Sequence, residues 1–487
     1  MKSLLTEPAE SAPSVTPSVI GTTQDTAISD LAAPSLWSKA RRWSSSGRPA
    51  VALRGGVWSL GGYAATQLLR TVSTIILARL FLGPEAFGVV GLVGVFLAGL
   101  NMFSELGILA NVVQHPRGDE PRFLNTAFSV QVARGMTIWL ISVAAAYPLA
   151  LFYKQPEIFP LLSVIGFSEM VRGLAGTSVW TLTRHIKLRA VTLLTVGAEL
   201  LAFGVCVAWA LVSPSAWALV ARTIASAIVY AAGSHFLSNQ KTRLEWDSSA
   251  AKEILNFGGW MSLSTAAYFL SSQGERLILG KFVTAAELGC FSLAVMISSV
   301  PAGGVGQLVN QILLPMISKT ARSSHTETLR DFLRARRLFF AVGMFAGIGF
   351  LVCAKPLIGL LLPPKYEMAG WMLQLLGLRV AMDIFSAPAT AITIAYGESK
   401  YSAAASTVRL ILMVGGVWIA FAMFGIQGAM YALIVSQVLS YFPLIAGLRK
   451  LMPEVAFVEL GWYSLFIALL ALTAAGLGMG HNLRVAR

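Results

Sequence analysis

The chain has 487 residues, of which 56% are hydrophobic and only 12% charged, with a mean hydropathy of +0.69. Too little charge is present to cover a soluble surface of this size, so the class is an all-α polytopic membrane protein. A net charge of +14 raises the question of nucleic acid, which the placement of the charge answers.

Residues 1–50, as in SAPSVTPSVIGTTQDTAISD, are rich in Ser, Thr, Pro and Ala and hold no apolar core of signal-peptide length. They read as a disordered cytoplasmic tail, with KARRW and Arg48 holding that end inside. Apolar stretches long enough to span a bilayer follow near 56–82, 87–110, 124–150, 159–181, 188–211, 215–237 and 256–280. Six more lie near 289–317, 338–361, 369–394, 402–423, 428–447 and 457–479, thirteen in all. If the tail is cytoplasmic, loops on its side carry most of the Lys and Arg. Opposite loops carry only Lys154, Lys281, Lys355 and Lys365. This positive-inside bias orients the chain and accounts for the basic charge, so no nucleic-acid partner is expected. The longest inner loops are 239–252 and 318–337, and no loop on the other side is long enough to fold as a domain.

One phrase occurs twice. IILARLFLGPEAFGVV (75–90) returns as LILGKFVTAAELGCFSLA (277–294), and the copies align on Gly88 and Gly289. Six spans separate them, so both run in the same direction across the membrane. That is a parallel repeat of two six-helix lobes, 51–238 and 256–448, joined by a cytoplasmic linker at 239–255 and followed by an extra span in 449–487.

Cys206, Cys290 and Cys353 each fall inside a span with no metal-ligand spacing, and the five histidines form no cluster, so no metal or other cofactor is expected. The glycines at 88, 91 and 94, and at 343 and 347, suit close helix packing. Asn310 and Gln311, with Pro301 and Gly303, mark an irregular helix in the eighth span.

Charge within hydrocarbon is costly, about 2.5–3.5 kcal/mol per group on insertion scales. Here seven deep arginines (70, 134, 172, 222, 276, 379 and 409) stand against four acids (169, 199, 275 and 383). Gln67 and Arg70, Gln131 and Arg134, Glu169 and Arg172, and Gln273 and Arg276 each place a polar acceptor one turn before an arginine, on one helix face. Arg70 lies roughly 20 Å along the helix from Gly83 at 1.5 Å per residue, too deep to reach water from its own end. Arg79 can snorkel, and Arg276 can reach the outer headgroups. The four stripes are expected to face one shared wet space, with Arg379 and Asp383 bonded to each other at i, i+4. Guanidinium suits phosphate, so the excess of arginine favours an anionic cargo. Glu169, Glu199, Glu275 and Asp383 are candidate counter-ions or ion-coupling groups. No G-x-x-x-x-G-K-[ST] sequence is present, so ATP hydrolysis is not expected of this chain.

Several phrases resemble the Wzx-type polysaccharide flippases of the MOP superfamily, which also contains the MATE multidrug antiporters. They are ILARLFLGPEAFGVVGLVGVFLAGLNMFSELGILANVVQ (76–114), ERLILGKFVTAAELGCFSLA (275–294) and ILLPMISK (312–319). The wording is nearest to the exopolysaccharide branch, the colanic-acid and succinoglycan type. Glu275 stands where the family often has Asp, and the thirteen spans differ from its usual twelve or fourteen.

The resemblance implies a MOP/MATE-like fold with one or two extra C-terminal helices in the bacterial inner membrane, N-terminus cytoplasmic. It implies a transporter, not an enzyme, that moves oligosaccharide repeat units on undecaprenyl pyrophosphate by alternating access. Implied partners are that lipid-linked oligosaccharide, membrane lipids and the polysaccharide polymerase and export machinery. Gln67, Arg70, Gln131, Arg134, Arg172, Gln273, Arg276 and Arg379 would then line the cavity that takes the pyrophosphate and sugar. The alternatives are a multidrug-cation/proton or Na+ antiporter of the same superfamily, whose cavity would be lined with carboxylates and aromatics, a lipid II-type role, and a membrane-embedded polysaccharide polymerase, which would need carboxylates on a long outer loop.

Overall fold

A computed structural model describes residues 47–104, 107–237 and 242–476. The expected tail, except for its last four residues, and the final GHNLRVAR lie outside them. Of the two units into which the chain divides, 1–53 is described only by the first turns of helix α1, and 54–487 holds everything that follows.

Among the described residues, each expected span is occupied mainly by helix. The first half consists of α1 (Gly47–Leu80), α2 (Pro84–Phe103), α3 (Ile108–Gln114), α4 (Pro121–Tyr153), α5 (Ile158–Gly173), α6 (Ser178–Arg184), α7 (Leu188–Val212) and α8 (Trp217–Phe236). The second consists of α9 (Ser248–Phe282), α10 (Ala285–Leu308), α11 (Leu314–Ser323), α12 (His325–Leu361), α13 (Met368–Ala395), α14 (Lys400–Leu439) and α15 (Phe442–Leu451), followed by α16 (Pro453–Gly476). Among the described residues, nine helices are long and apolar enough to cross a membrane, or ten if α5 and α6, bent by 61°, form one span. The count of thirteen is not reached on that criterion, for two physical reasons. Helices α1 and α9 are 34 and 35 residues long but carry the Gln67–Arg70 and Gln273–Arg276 stripes, which lower their hydropathy. Helix α14, in addition, is two rods merged at Gly425.

Gly425 has φ 61° and ψ −150°, a backbone region open essentially to glycine. The rods fold back there, which brings Gly416 against Ala432. A Cβ on Gly425 would meet no neighbour, so Gly425→Ala should cost about 1–3 kcal/mol through backbone strain alone. The unfolding midpoint in SDS titration should fall accordingly, and an unchanged midpoint would refute the strain.

The two copies of the repeated phrase meet. Pro84 opens α2 in its first turn, whereas Thr284 and Glu287 open α10 with a capping box, two chemistries for the same chain reversal. The helices then cross at Gly88 and Gly289. A Cβ on Gly88 would strike the Ala285 carbonyl oxygen and lie 3.0 Å from Gly289 N. A Cβ on Gly289 would strike the Pro84 carbonyl oxygen and lie 3.1 Å from Gly88 N. The crossing is thus reciprocal, as a twofold pseudo-axis requires. Polar ties at the same end join the halves: Arg79 Nη1 donates to Leu360 O at 2.9 Å, Lys365 Nζ to Leu82 O at 2.7 Å, and Tyr153 OH to Leu277 O at 3.2 Å. Apolar residues of both halves, among them Leu82, Phe87, Leu288, Phe291 and Tyr366, form one buried cluster there.

The irregularity expected in the eighth span is a π-helical turn at Val309–Leu313, holding Asn310 and Gln311. Segment 318–337, expected as an inner loop, is instead nearly all helix, interrupted only at Ser324, whose hydroxyl caps α12. Arg336, assigned to that loop, is fully buried on the face of α12 that carries Phe332, Ala335, Phe339 and Gly343. Its Nε donates to Glu459 Oε2 at 2.8 Å and its Nη2 to Tyr441 OH at 2.9 Å, which ties α16 to the second half. Large apolar side chains such as Leu211, Phe236, Phe345, Trp418, Phe457 and Leu472 remain exposed, as lipid-facing surfaces require.

Candidate functional site

Helices α5 and α6 meet at a break at 174–177, where the chain bends by 61°. The break exposes backbone groups that a bilayer cannot satisfy, and α8 supplies their partners. Gly176 N–H donates to Ser234 Oγ at 2.7 Å, the Ser178 hydroxyl donates to Ser234 O, and His235 Nε2 lies 2.9 Å from Leu174 O. In a membrane protein, irregular backbone is tolerated where it borders a polar cavity, and Gly173, Ala175 and Gly176 at this break line one.

That cavity, about 290 Å³, lies between α2, α4, α5 and α8. Gln131, Arg134, Glu169 and Arg172 line it, joined by Asn101 and Tyr230. Arg134 is held firmly: its Nε donates to Ser104 O at 2.8 Å and its Nη2 to Asn101 O at 2.9 Å. Gln131 leans toward the carbonyl oxygens of Arg172 and Gly173 at 3.4 and 3.5 Å. Arg172 Nε is buried with no hydrogen-bond partner among the described residues. A charged donor left unsatisfied in a low-dielectric cavity is costly unless an acceptor from outside completes it. Two guanidinium groups and one carboxylate give the cavity a net positive charge.

Gln67, Gln273 and the remaining arginines are not part of it. The expectation of one shared space is corrected: the described arginines form separate groups, because three of the four acids are taken up as local counter-ions. Glu199 on α7 accepts from Arg70 Nε at 3.0 Å and from Arg222 Nη2 at 3.2 Å. Glu199 and Arg222 are largely buried, but 52% of the Arg70 side chain stays open, so this triad keeps one positive charge accessible. In the second half Arg379 pairs with Glu275, not with Asp383 as its spacing suggested. Glu275 is almost wholly buried and needs the nearest cation, while the half-exposed Asp383 accepts from Gln437 Nε2 at 2.7 Å and lies 3.8 Å from Arg409. The Arg276 Nε is buried with no hydrogen-bond partner among the described residues. Around Asp383 and Arg409 a second cavity of about 170 Å³ is lined by hydroxyls, including Ser386, Thr390 and Ser402. Sequence reasoning missed Arg336, Glu459 and Tyr441. Phe332, Ala335, Arg336 and Phe339 follow a 3.6-residue period, which could have placed Arg336 inside.

Known proteins match the chain at low sequence identity. The succinoglycan biosynthesis transport protein ExoT of Rhizobium meliloti is 24% identical over 325 residues, covering 66% of this chain and 64% of that protein. The chain thus spans less than two thirds of that relative's length. The lipopolysaccharide biosynthesis protein WzxC of Escherichia coli is 20% identical over 404 residues, covering 81% of this chain and 80% of that protein. Among solved structures, an inward-facing MATE multidrug transporter of the MOP superfamily superposes with a TM-score of 0.64 at 15% identity, covering 84% of this chain and 96% of that one. The lipid II flippase MurJ, in an inward closed conformation, gives 0.62 at 12%, covering 88% and 100%. At these identities the likeness establishes the fold, which is of the MOP type. Residues 76–370, well over half the chain, match the polysaccharide biosynthesis protein family, and the chain belongs to that family.

Proposed function

We propose that the protein is a flippase that carries lipid-linked oligosaccharide repeat units across the bacterial inner membrane for surface polysaccharide synthesis. The observation that carries this reading is the cavity in which Arg134, fixed by backbone carbonyls, faces Arg172 with its unsatisfied Nε. A pyrophosphate offers several charged acceptors to such a pair and could complete both, whereas a cationic drug would be repelled. The names of ExoT and WzxC, both polysaccharide or lipopolysaccharide biosynthesis proteins, support transport in such a pathway rather than catalysis by this chain.

The lobes are 51–238 and 256–448, and the N-terminus is cytoplasmic by the distribution of Lys and Arg. The Gly88–Gly289 crossing then closes the outer end, and the headgroup enters from the cytoplasm. Rocking of the lobes opens the crossing and releases the sugar outside. A membrane potential that is negative inside favours outward movement of an anion by about 2.3 kcal/mol per charge per 100 mV.

Arg172→Gln tests the reading. Losing charged hydrogen bonds worth about 1.5–3 kcal/mol should lower pyrophosphate affinity roughly 10- to 100-fold. The variant should insert normally while lipid-linked repeat units accumulate on the cytoplasmic leaflet. Export at the wild-type rate would refute the role.

A further inference from the structure

The polar cavity has an apolar neighbour. A groove of about 430 Å³ lies between α2 and α4, walled by Leu100, Phe103, Ala133 and Ile141, with Trp246 of the linker beside it. Arg134 and Ile138 line both spaces. Arg134, whose guanidinium is bonded to groove-lining Ser104 and cavity-lining Asn101, therefore stands where the two compartments meet. Phe103, Ile141 and Trp246 are exposed at 45%, 44% and 61%, so the groove is open along its length. Phe103 is braced from behind by Phe269 at 5.5 Å between ring centroids.

A charged compartment joined through one arginine to an apolar trough fits an amphiphile whose anionic group and hydrocarbon chain are directly bonded. We infer that the α2–α4 groove holds the first isoprene units of the polyprenyl chain while the attached pyrophosphate occupies the Arg134–Arg172 cavity. The inference rests on the proposed flippase reading and adds where the chain leaves the headgroup site. The groove has the volume of a small-molecule pocket, enough for the units nearest the phosphate, and the rest of a long chain trails into lipid. The chain-proximal segment would then fix the orientation of the headgroup, and substrates with a different lipid anchor would be poorly seated.

The test uses the full-length protein in lipid nanodiscs and farnesyl pyrophosphate carrying a diazirine in its chain. After irradiation, adducts mapped by mass spectrometry should concentrate in residues 100–104, 130–141 and at Trp246, and excess inorganic pyrophosphate should suppress them. Ala133→Trp, which fills the trough from an exposed position, should reduce those adducts at least fivefold while leaving inorganic pyrophosphate binding within twofold of wild type. Adducts that pyrophosphate suppresses but that map to other segments would overturn the groove and leave the headgroup site standing. Labelling that pyrophosphate does not suppress would overturn the headgroup site and the groove with it.

Discussion

Glu459→Leu is expected to destabilise the folded protein by about 3–5 kcal/mol, among the largest effects any single substitution here should have. Arg336 and Glu459 are both fully buried, so leucine would leave a guanidinium with no counter-charge in a dry helix interface. Phe332 and Phe385 flank the guanidinium at 5.4 and 4.2 Å from their ring centroids, and the Arg336 side chain has no exposed surface. The double variant Arg336→Leu/Glu459→Leu removes both charges and should regain most of the loss, since a buried pair adds little net stability over an apolar replacement. SDS titration of the two variants reads the difference. Equal midpoints for the single and double variants would show that the pair is not what fastens α16.

Gly88→Val is the second large effect, expected on transport and not on insertion. Its side chain cannot be accommodated without separating α2 from α10, because it is aimed at the Ala285 carbonyl. Backbone cannot yield as a flexible side chain would, so the outer end should stay open and export should fall more than tenfold. Cys290, adjacent to Gly289 and buried at the crossing, is a built-in reporter. With Cys206 and Cys353 replaced by alanine, a membrane-impermeant maleimide added outside should label Cys290 in the Gly88→Val protein and spare it otherwise. Protection of Cys290 in both proteins would mean that this crossing is not the outer gate.

These two expectations draw on different kinds of information. The contact between the two copies of the repeat is long-range and was not legible, whereas the equivalence of Gly88 and Gly289 was, because the repeat is local text, two short phrases that each end a helix and start the next. The same holds for the break at Gly425 and the π turn around Asn310, where residue type and local backbone agree. The cavity was half legible. The i, i+3 stripes correctly put Gln131 with Arg134 and Glu169 with Arg172 on common faces, and α4 and α5 bring those faces together. Partner choice was not legible, because Arg70 meets Glu199 across 129 positions and Arg379 meets Glu275 across 104. A helical spacing allows a pair such as Arg379 and Asp383 but does not impose it when a more deeply buried acid competes. Arg336 went unrecognised because its neighbours Arg334 and Arg337 make the run look like a solvated loop, and only the apolar period around it separates the buried arginine from the exposed ones.

The most direct measurement is an electron cryo-microscopy structure of the full-length protein with undecaprenyl pyrophosphate in lipid nanodiscs. Phosphate density should lie within hydrogen-bond distance of Arg172 and Arg134, between α4 and α5. Phosphate seated instead against Arg70 or in the hydroxyl-lined cavity at Arg409, with the α4–α5 cavity empty, would contradict the assignment.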